Sequence, residues 1–380
     1  SNLEGTDGEI KYEASPNGKM IPQAEVKTIQ PIHGKDLILT IDSDLQYLSE
    51  SLCEDALIRT EALNCSIVFS YANSGEILIA AEKQSQNIQS YDIDLISLRA
   101  IYEPGSSLKI FSIGAGIEYG LIDENTRFVV NDFIEVIEGS CARNYEGYKA
   151  CYRDFLNHEP YELSVMEIIE RSSNVGTILA TQNLNIDYLE EYLMKFGFGK
   201  PTGVELTGEL SGGFRDYKTC ATCLSSLSIG YSVNVTQLQM IKAYSIIANG
   251  GRDINLSMVK KENNSLSNEQ IISYESANRL KKLLINVVDG ENGTGRSLQL
   301  ENYIIGGKTG TSKTHIEGVG YSDFRYNTSF TGFIETSKGP VVGSVILWGA
   351  SVNPRSEYVT GGSTAAPLFK NIVSNLVPGE

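Results

Sequence analysis

Several features are scarce in this 380-residue chain, and each scarcity excludes something. There is no run of about 18 consecutive apolar residues, the length that a membrane-crossing helix needs. The opening Ser1-Asn2-Leu3-Glu4-Gly5 has neither the basic nor the apolar region of a secretion signal, and Ser1-Asn2 reads as a tag remnant. Basic residues are outnumbered, 31 Lys and Arg against 47 Asp and Glu, for a net charge of −16. That balance argues against a nucleic-acid partner and against a basic membrane-surface patch, so any cationic spot must be local. Histidine occurs only at His33, His158 and His315, and no serine sits in a G-x-S-x-G elbow, which disfavours a Ser-His-Asp hydrolase. Six cysteines are too few to staple a chain of this size, although Cys141 and Cys151 can close a short loop in an oxidising compartment. Cys220 and Cys223 form a lone C-x-x-C with no second pair and no nearby histidine. They read as ordinary thiols or one local bridge, and no metal site is expected.

With 41% hydrophobic residues, the chain can bury a substantial core as one large domain or two smaller ones. Its organising stretch is Glu103-Pro104-Gly105-Ser106-Ser107-Leu108-Lys109, followed by apolar residues at near-helical spacing, Ile110, Ile113 and Ile117. The Pro-Gly pair breaks the preceding segment and predicts a helix starting at Ser106. Lys109, three residues on, then shares a helical face with the Ser106 hydroxyl, a nucleophile beside its base. Ser107, about 200° around the helix from Lys109, cannot face it.

The rest of the chain reads as a mixture of elements. Residues 1–34 are polar and Gly-rich and predict short ribbons, and residues 37–41 predict a strand. A helix with the stripe Leu45, Leu48, Leu52, Ala56 and Leu57 is offered caps by Asp42 and Ser43. Residues 65–71 and 76–81, around Asn73-Ser74-Gly75, predict an antiparallel hairpin. Residues 125–160 look irregular. Helices are expected at 163–179, interrupted at Arg171-Ser172-Ser173-Asn174, and at 188–196, 236–248, 275–288 and 364–373; strands are expected at 302–305, 329–334 and 341–347. Helices in the middle and strands at both ends predict an α+β domain whose terminal strands share one sheet.

Three short motifs follow in order: S-x-x-K at Ser106 and Lys109, S-x-N at Ser172 and Asn174, and K-T-G at Lys308, Thr309 and Gly310. Singly they say little, since a serine at a helix start is usually a cap and a glycine-rich strand end is usually a turn. S-x-x-K recurs at Ser257 and Lys260, in a segment that reads as a strand; S-x-N recurs at Ser232 and Asn234 and at Ser351 and Asn353. As a set they resemble the penicillin-recognising serine acyltransferases. Residues 34–42 (GKDLILTID), 74–80 (SGEILIA), 196–203 (FGFGKPTG), 243–250 (AYSIIANG) and 361–367 (GGSTAAP) extend the resemblance to class B penicillin-binding proteins over most of the chain. Ser228-Ile229-Gly230-Tyr231, ahead of Val235-Thr236-Gln237-Leu238-Gln239, and the Phe-Gly-Phe-Gly run resemble the division (septal) type.

This resemblance implies a β-lactamase/transpeptidase-like α+β fold, an antiparallel sheet flanked by helices with a mainly helical subdomain and the active site between them. It implies a peptidoglycan D,D-transpeptidase over residues 35–380, with residues 1–34 the remnant of a non-catalytic pedestal or linker. A membrane anchor would precede them, holding the domain on the extracytoplasmic face of a bacterial membrane. Ser106 would attack the substrate carbonyl, Lys109 would take its proton and Ser172 would relay the proton to the leaving amine. Asn174 would hold the peptide amide, while Lys308, Thr309, Gly310 and Thr311 would bind the terminal carboxylate. Backbone N–H groups of Ser106 and Thr311 would form the oxyanion hole. Expected partners are peptidoglycan stem peptides, β-lactam antibiotics and cell-wall polymerase or divisome proteins, with no cofactor. The competing readings are a β-lactamase-like hydrolase, for which no dedicated carboxylate can be picked out, and a non-catalytic β-lactam sensor or scaffold. His315, just after K-T-G, is expected in a loop at the cleft rim, and the Tyr and Cys residues of 141–153 have no assigned place.

Overall fold

The computed structural model describes residues 3–22, 26–85, 95–143, 145, 150–216, 220–261, 269–316, 320–351 and 359–377. Near the N-terminus β1 (Glu9–Lys11) and β2 (Lys27–Ile29) form an exposed antiparallel ribbon, as their polar composition predicts. Residues 37–41 are not a strand. Only Leu39 makes a bridge, to Val259, and Leu37, Ile38 and Leu39 are exposed, so β-propensity alone finds no sheet edge there. Helix α1 (Ser43–Thr60) starts where Asp42 accepts from the backbone N–H groups of Asp44 and Leu45, a cap worth about 1 kcal/mol. The hairpin β3 (Asn64–Tyr71) and β4 (Ile77–Gln84) follows, then the short α2 (Ile96–Arg99).

A single 3-10 turn, Gly105–Leu108, leads into α3 (Lys109–Glu118), so the helix expected from Ser106 begins one tight turn later. The segment expected to be irregular is built from two small ribbons. In these, β5 (Arg127–Val130) pairs with β8 (Tyr161–Ser164), and β6 (Phe133–Glu135) pairs with β7 (Cys151–Arg153). Strands of three or four residues are too short for alternation to show in sequence. The break expected near Ser172 separates α4 (Val165–Arg171) from α5 (Asn174–Thr181), and α6 (Ile186–Lys195) follows. Next, β9 (Gly213–Phe214) pairs with β10 (Val233–Asn234) around α7 (Cys223–Ser228). Helices α8 (Gln237–Ala248) and α9 (Tyr274–Asp289) precede β11 (Ile305–Ile316), β12 (Gly320–Ile334), β13 (Val341–Ala350) and α10 (Ala365–Leu376).

The central sheet has the order β11-β12-β13-β3-β4, antiparallel throughout, so the terminal strands do share one sheet. Its two faces bury different residues. Ile67, Phe69, Phe330 and Val345 pack with α1 and α10, while Val68, Phe333, Val342 and Ile346 pack into the helical layer that holds α3, α8 and α9. Phe111 of α3 lies edge-on to Phe196, Phe198 and Tyr244 at 4.9, 5.3 and 5.5 Å, which accounts for the Phe-Gly-Phe-Gly run as core packing. All six cysteines pair, as Cys53–Cys65, Cys141–Cys151 and Cys220–Cys223. The first of these joins α1 to β3.

Candidate active site

The turn that carries Ser106 is set by close backbone packing. Gly105 has φ +54°, and its N–H donates to the Gly230 carbonyl at 3.0 Å. A Cβ on Gly230 would lie 1.9 Å from the Gly105 oxygen, so only glycine fits there. Ser107 is buried, donates to the Pro104 carbonyl at 2.7 Å and receives the Tyr244 hydroxyl on its own carbonyl at 2.7 Å. It is a structural residue, which leaves the half-buried Ser106 as the hydroxyl available to the cleft. The Lys109 backbone N–H donates to the Ser106 carbonyl, closing the turn.

Lys109 is 0% exposed, and its amine donates to the Ser172 carbonyl at 2.6 Å and the Ser172 hydroxyl at 3.4 Å. Burial pushes its pKa from 10.5 down to about 7, with the charge of Asp154 opposing the fall. Near neutral pH a large share of Lys109 is therefore an uncharged amine, with a lone pair free to accept a proton. Ser172 itself is left-handed, φ 60° and ψ 33°, at the end of α4. That conformation costs a non-glycine residue about 1–2 kcal/mol and turns its carbonyl and hydroxyl towards Lys109. Ser173 caps α5 through Gly176 N–H, and the Asn174 side-chain amide donates to the Arg153 carbonyl at 2.8 Å.

The third wall is the edge strand β11. Lys308 is 0% exposed, sits opposite Thr331 and is held well below the usual lysine range by burial and by the nearby Lys109. Two ammonium groups so close in a buried site disfavour each other, so a free site cannot readily hold both charges. A Cβ on Gly310 would meet Ser329 Oγ at 2.3 Å and the Pro104 carbonyl at 3.0 Å; the glycine lets β11 run against the Ser106 turn and is not a bulge. Thr309 and Thr311 follow along the same strand, each with its hydroxyl bonded. Thr309 donates to the Thr294 hydroxyl at 2.9 Å, and the Thr311 hydroxyl accepts from Gly361 N–H at 3.1 Å.

Beside this junction lies a cleft of about 620 Å³, lined by Glu103, Arg215, Tyr231, Asn234, Lys313 and Tyr321 among others. Glu103 accepts from Ser232 N–H at 3.1 Å and from the Tyr321 hydroxyl at 2.8 Å. The competing Ser232 and Asn234 thus belong to the cleft wall. Ser257 is tied to Glu205 at 2.7 Å and plays a structural part, made through isolated bridges and not a strand. Asn353 lies outside the described residues. His315 belongs to β11, not to a loop, and its ring meets Tyr321 edge-on at 5.5 Å. His158 bonds Asp154, not a serine, so the Ser-His-Asp order is absent around it. Among the described residues no group of His, Cys, Asp or Glu is placed to hold a metal.

Two residues that bear on the site were missed in sequence: Asp154, which bonds across the Ser172–Asn174 break, and Thr294, which receives Thr309. Neither sits in a periodic segment. The only hint was that 141–153 carried tyrosines and cysteines with no assigned place.

A turn-borne S-x-x-K, a helix-break S-x-N and an edge-strand K-T-G, meeting where a five-stranded antiparallel sheet joins a helical layer, define the active-serine, penicillin-recognising class of proteins. Residues 65–374 match the penicillin binding protein transpeptidase domain, and the chain belongs to that family, as a class B penicillin-binding protein. It is 30% identical over 398 residues to penicillin-binding protein PbpB of Mycolicibacterium smegmatis, covering 99% of this chain and 59% of the relative. It is 27% identical over 399 residues to stage V sporulation protein D of Bacillus subtilis, covering 99% of this chain and again 59% of the relative. The chain thus spans about three fifths of the length of these curated relatives. The crystal structure of penicillin binding protein 3 from Mycobacterium tuberculosis, complexed with aztreonam, is 28% identical with a TM-score of 0.76, covering 91% of this chain and 80% of that one.

Proposed function

We propose that this chain is the catalytic part of a peptidoglycan D,D-transpeptidase working outside the cytoplasmic membrane. The observation that carries the reading is the buried Lys109 amine, one turn from Ser106 and bonded to Ser172, with a pKa near neutrality. The neutral amine takes the Ser106 proton as Oγ attacks the penultimate carbonyl of a D-Ala-D-Ala stem peptide. Backbone N–H groups of Ser106 and Thr311, on segments packed against each other at Gly105, stabilise the oxyanion. The proton passes through Ser172 to the leaving D-Ala nitrogen, the C–N bond breaks and an ester on Ser106 remains. An amine from a neighbouring strand then attacks the ester, loses its proton to the same relay and frees Ser106. Asn174 holds the stem-peptide amide. Lys308, Thr309, Gly310 and Thr311 receive the terminal carboxylate, whose charge favours a protonated Lys308; that ammonium in turn disfavours a second charge on Lys109.

A β-lactam would follow the first half of this path and stop at the ester, as the aztreonam complex of the similar mycobacterial protein suggests for this cleft. Three disulfides accord with an oxidising compartment outside the cytoplasm. No described helix is long and apolar enough to cross a membrane. We assign residues 1–34 to the remnant of a non-catalytic pedestal or linker, through which an anchor and divisome or polymerase partners would connect. The division type rests on Ser228-Ile229-Gly230-Tyr231 and the Phe-Gly-Phe-Gly run, and the likeness to stage V sporulation protein D makes a part in sporulation the second reading.

Intact-mass measurement after penicillin exposure tests the proposal. The expected result is one long-lived adduct, absent in Ser106→Ala. No adduct would leave a scaffold, and an adduct decaying within seconds would make the protein a β-lactamase.

A further inference from the structure

The ribbon β6–β7 is the part of the molecule that the reaction above leaves unused, yet it reaches the site. Asp154, the residue after β7, has a side chain 7% exposed, accepts three hydrogen bonds and meets a histidine ring. One oxygen takes Asn174 N–H at 2.6 Å and Val175 N–H at 3.0 Å; the other takes the Ser173 hydroxyl at 2.8 Å and meets His158 Nε2 at 3.2 Å. The preceding Arg153 carbonyl receives the Asn174 side-chain amide. The ribbon is itself braced. Cys141–Cys151 closes it, Glu135 accepts from Gly139 N–H and Cys141 N–H, and the Tyr152 hydroxyl meets Ser226 Oγ at 2.7 Å on α7.

From this geometry we infer that Asp154 is a positioning residue for the acyl transfer proposed above. It clamps the Ser172–Asn174 break, so that the Ser172 carbonyl and hydroxyl stay aimed at the Lys109 amine. The inference rests on the transpeptidase reading. A buried carboxylate taking three hydrogen bonds from one turn, by Ser173, Asn174 and Val175, holds that turn in a way an exposed helix cap cannot. It also differs from a cap in acting on Lys109. Asp154 from the ribbon favours the charged form of Lys109 against the burial that opposes it, while the Lys109 charge disfavours one on Lys308 of β11. Behind Asp154 stand His158, stacked on Tyr161 at 4.2 Å, and Arg171, over the Tyr161 ring at 5.4 Å.

The test compares the full chain with Asp154→Asn and Asp154→Glu, following acylation by a fluorescent penicillin from about pH 5 to 9 alongside thermal unfolding. Asp154→Asn is expected to lower the plateau rate about tenfold or more and to move the acidic limb to lower pH by about half a unit, because the charge that retains the Lys109 proton is gone. Asp154→Glu, with its charge kept and its reach changed, is expected to leave the limb in place and lower the plateau several-fold. A purely structural role would cost stability without moving the limb. A folded Asp154→Asn with an unmoved limb overturns the inference and leaves the transpeptidase reading standing. If Asp154→Asn does not fold, an Asp154→Glu plateau equal to that of the parent overturns it. A parent protein that forms no adduct overturns the underlying reading instead.

Discussion

The two faces of the central sheet are closed by different chemistry. Against α1 and α10 the rings of Phe69 and Phe330 meet Phe369 at 5.1 and 4.7 Å, with Ile67 and Val345 beside them. Against α3 and α8 the sheet buries Lys109, Lys308, Gln237 and Gln239. Both glutamines are fully engaged. Gln237 donates to the Ser344 carbonyl at 2.8 Å and receives the Ser66 hydroxyl at 2.6 Å, while Gln239 donates to the carbonyls of Lys200 and Ser211, both at 2.7 Å. The first face is built for cohesion; the second spends stability to keep two amines out of water beside a serine.

Substitutions on the two faces should therefore separate rate from stability. The largest effect is expected for Lys109→Met, which removes the base and should slow penicillin acylation by about 10³-fold. The same change should raise the unfolding temperature at pH 7. The folded-state pKa of Lys109, about 7, lies below its ordinary 10.5, so the unfolded chain binds the extra proton and stability climbs with pH between those values. The gain from Lys109→Met should accordingly shrink as pH approaches 10. Phe369→Ala on the opposite face should cost about 3–5 kcal/mol in urea unfolding and leave the acylation rate of the folded fraction within about twofold. If that rate falls with stability, the faces are not independent. Gly310→Ala should have the smallest effect. Its Cβ would press on Ser329 Oγ and the Pro104 carbonyl, easing β11 away from the Ser106 turn and slowing acylation about tenfold with little change in melting.

The parts legible in sequence were those with local signals. The Pro104-Gly105 break, the stripe from Ile110 to Ile117, the polar interruption at Ser172 and the single K-T-G located the three walls, and α1, α8, α9 and the β3–β4 hairpin followed from periodicity and caps. The parts that stayed hidden depend on contacts distant in the chain. Asp154 acts twenty residues away on Asn174, and Thr294 fifteen away on Thr309. Cys53–Cys65 joins a helix to a strand across a turn that gave no pairing signal. Residues 37–41 misled because a run of apolar β-branched and aliphatic residues looks the same beside a sheet as within one; here Leu37, Ile38 and Leu39 stay exposed, with one bridge. Residues 125–160 misled in the opposite way, their ribbons being too short to announce themselves.

The central claim is that a buried, largely uncharged Lys109 serves Ser106 as its base. The most direct test is the second-order acylation rate of the parent protein against pH, read with a fluorescent penicillin. The expected profile rises by one proton, with its midpoint near pH 7, and is flat above about pH 8. A rate that stays level from pH 5 to 9, or that climbs only above about pH 9 as an ordinary lysine loses its proton, would contradict it.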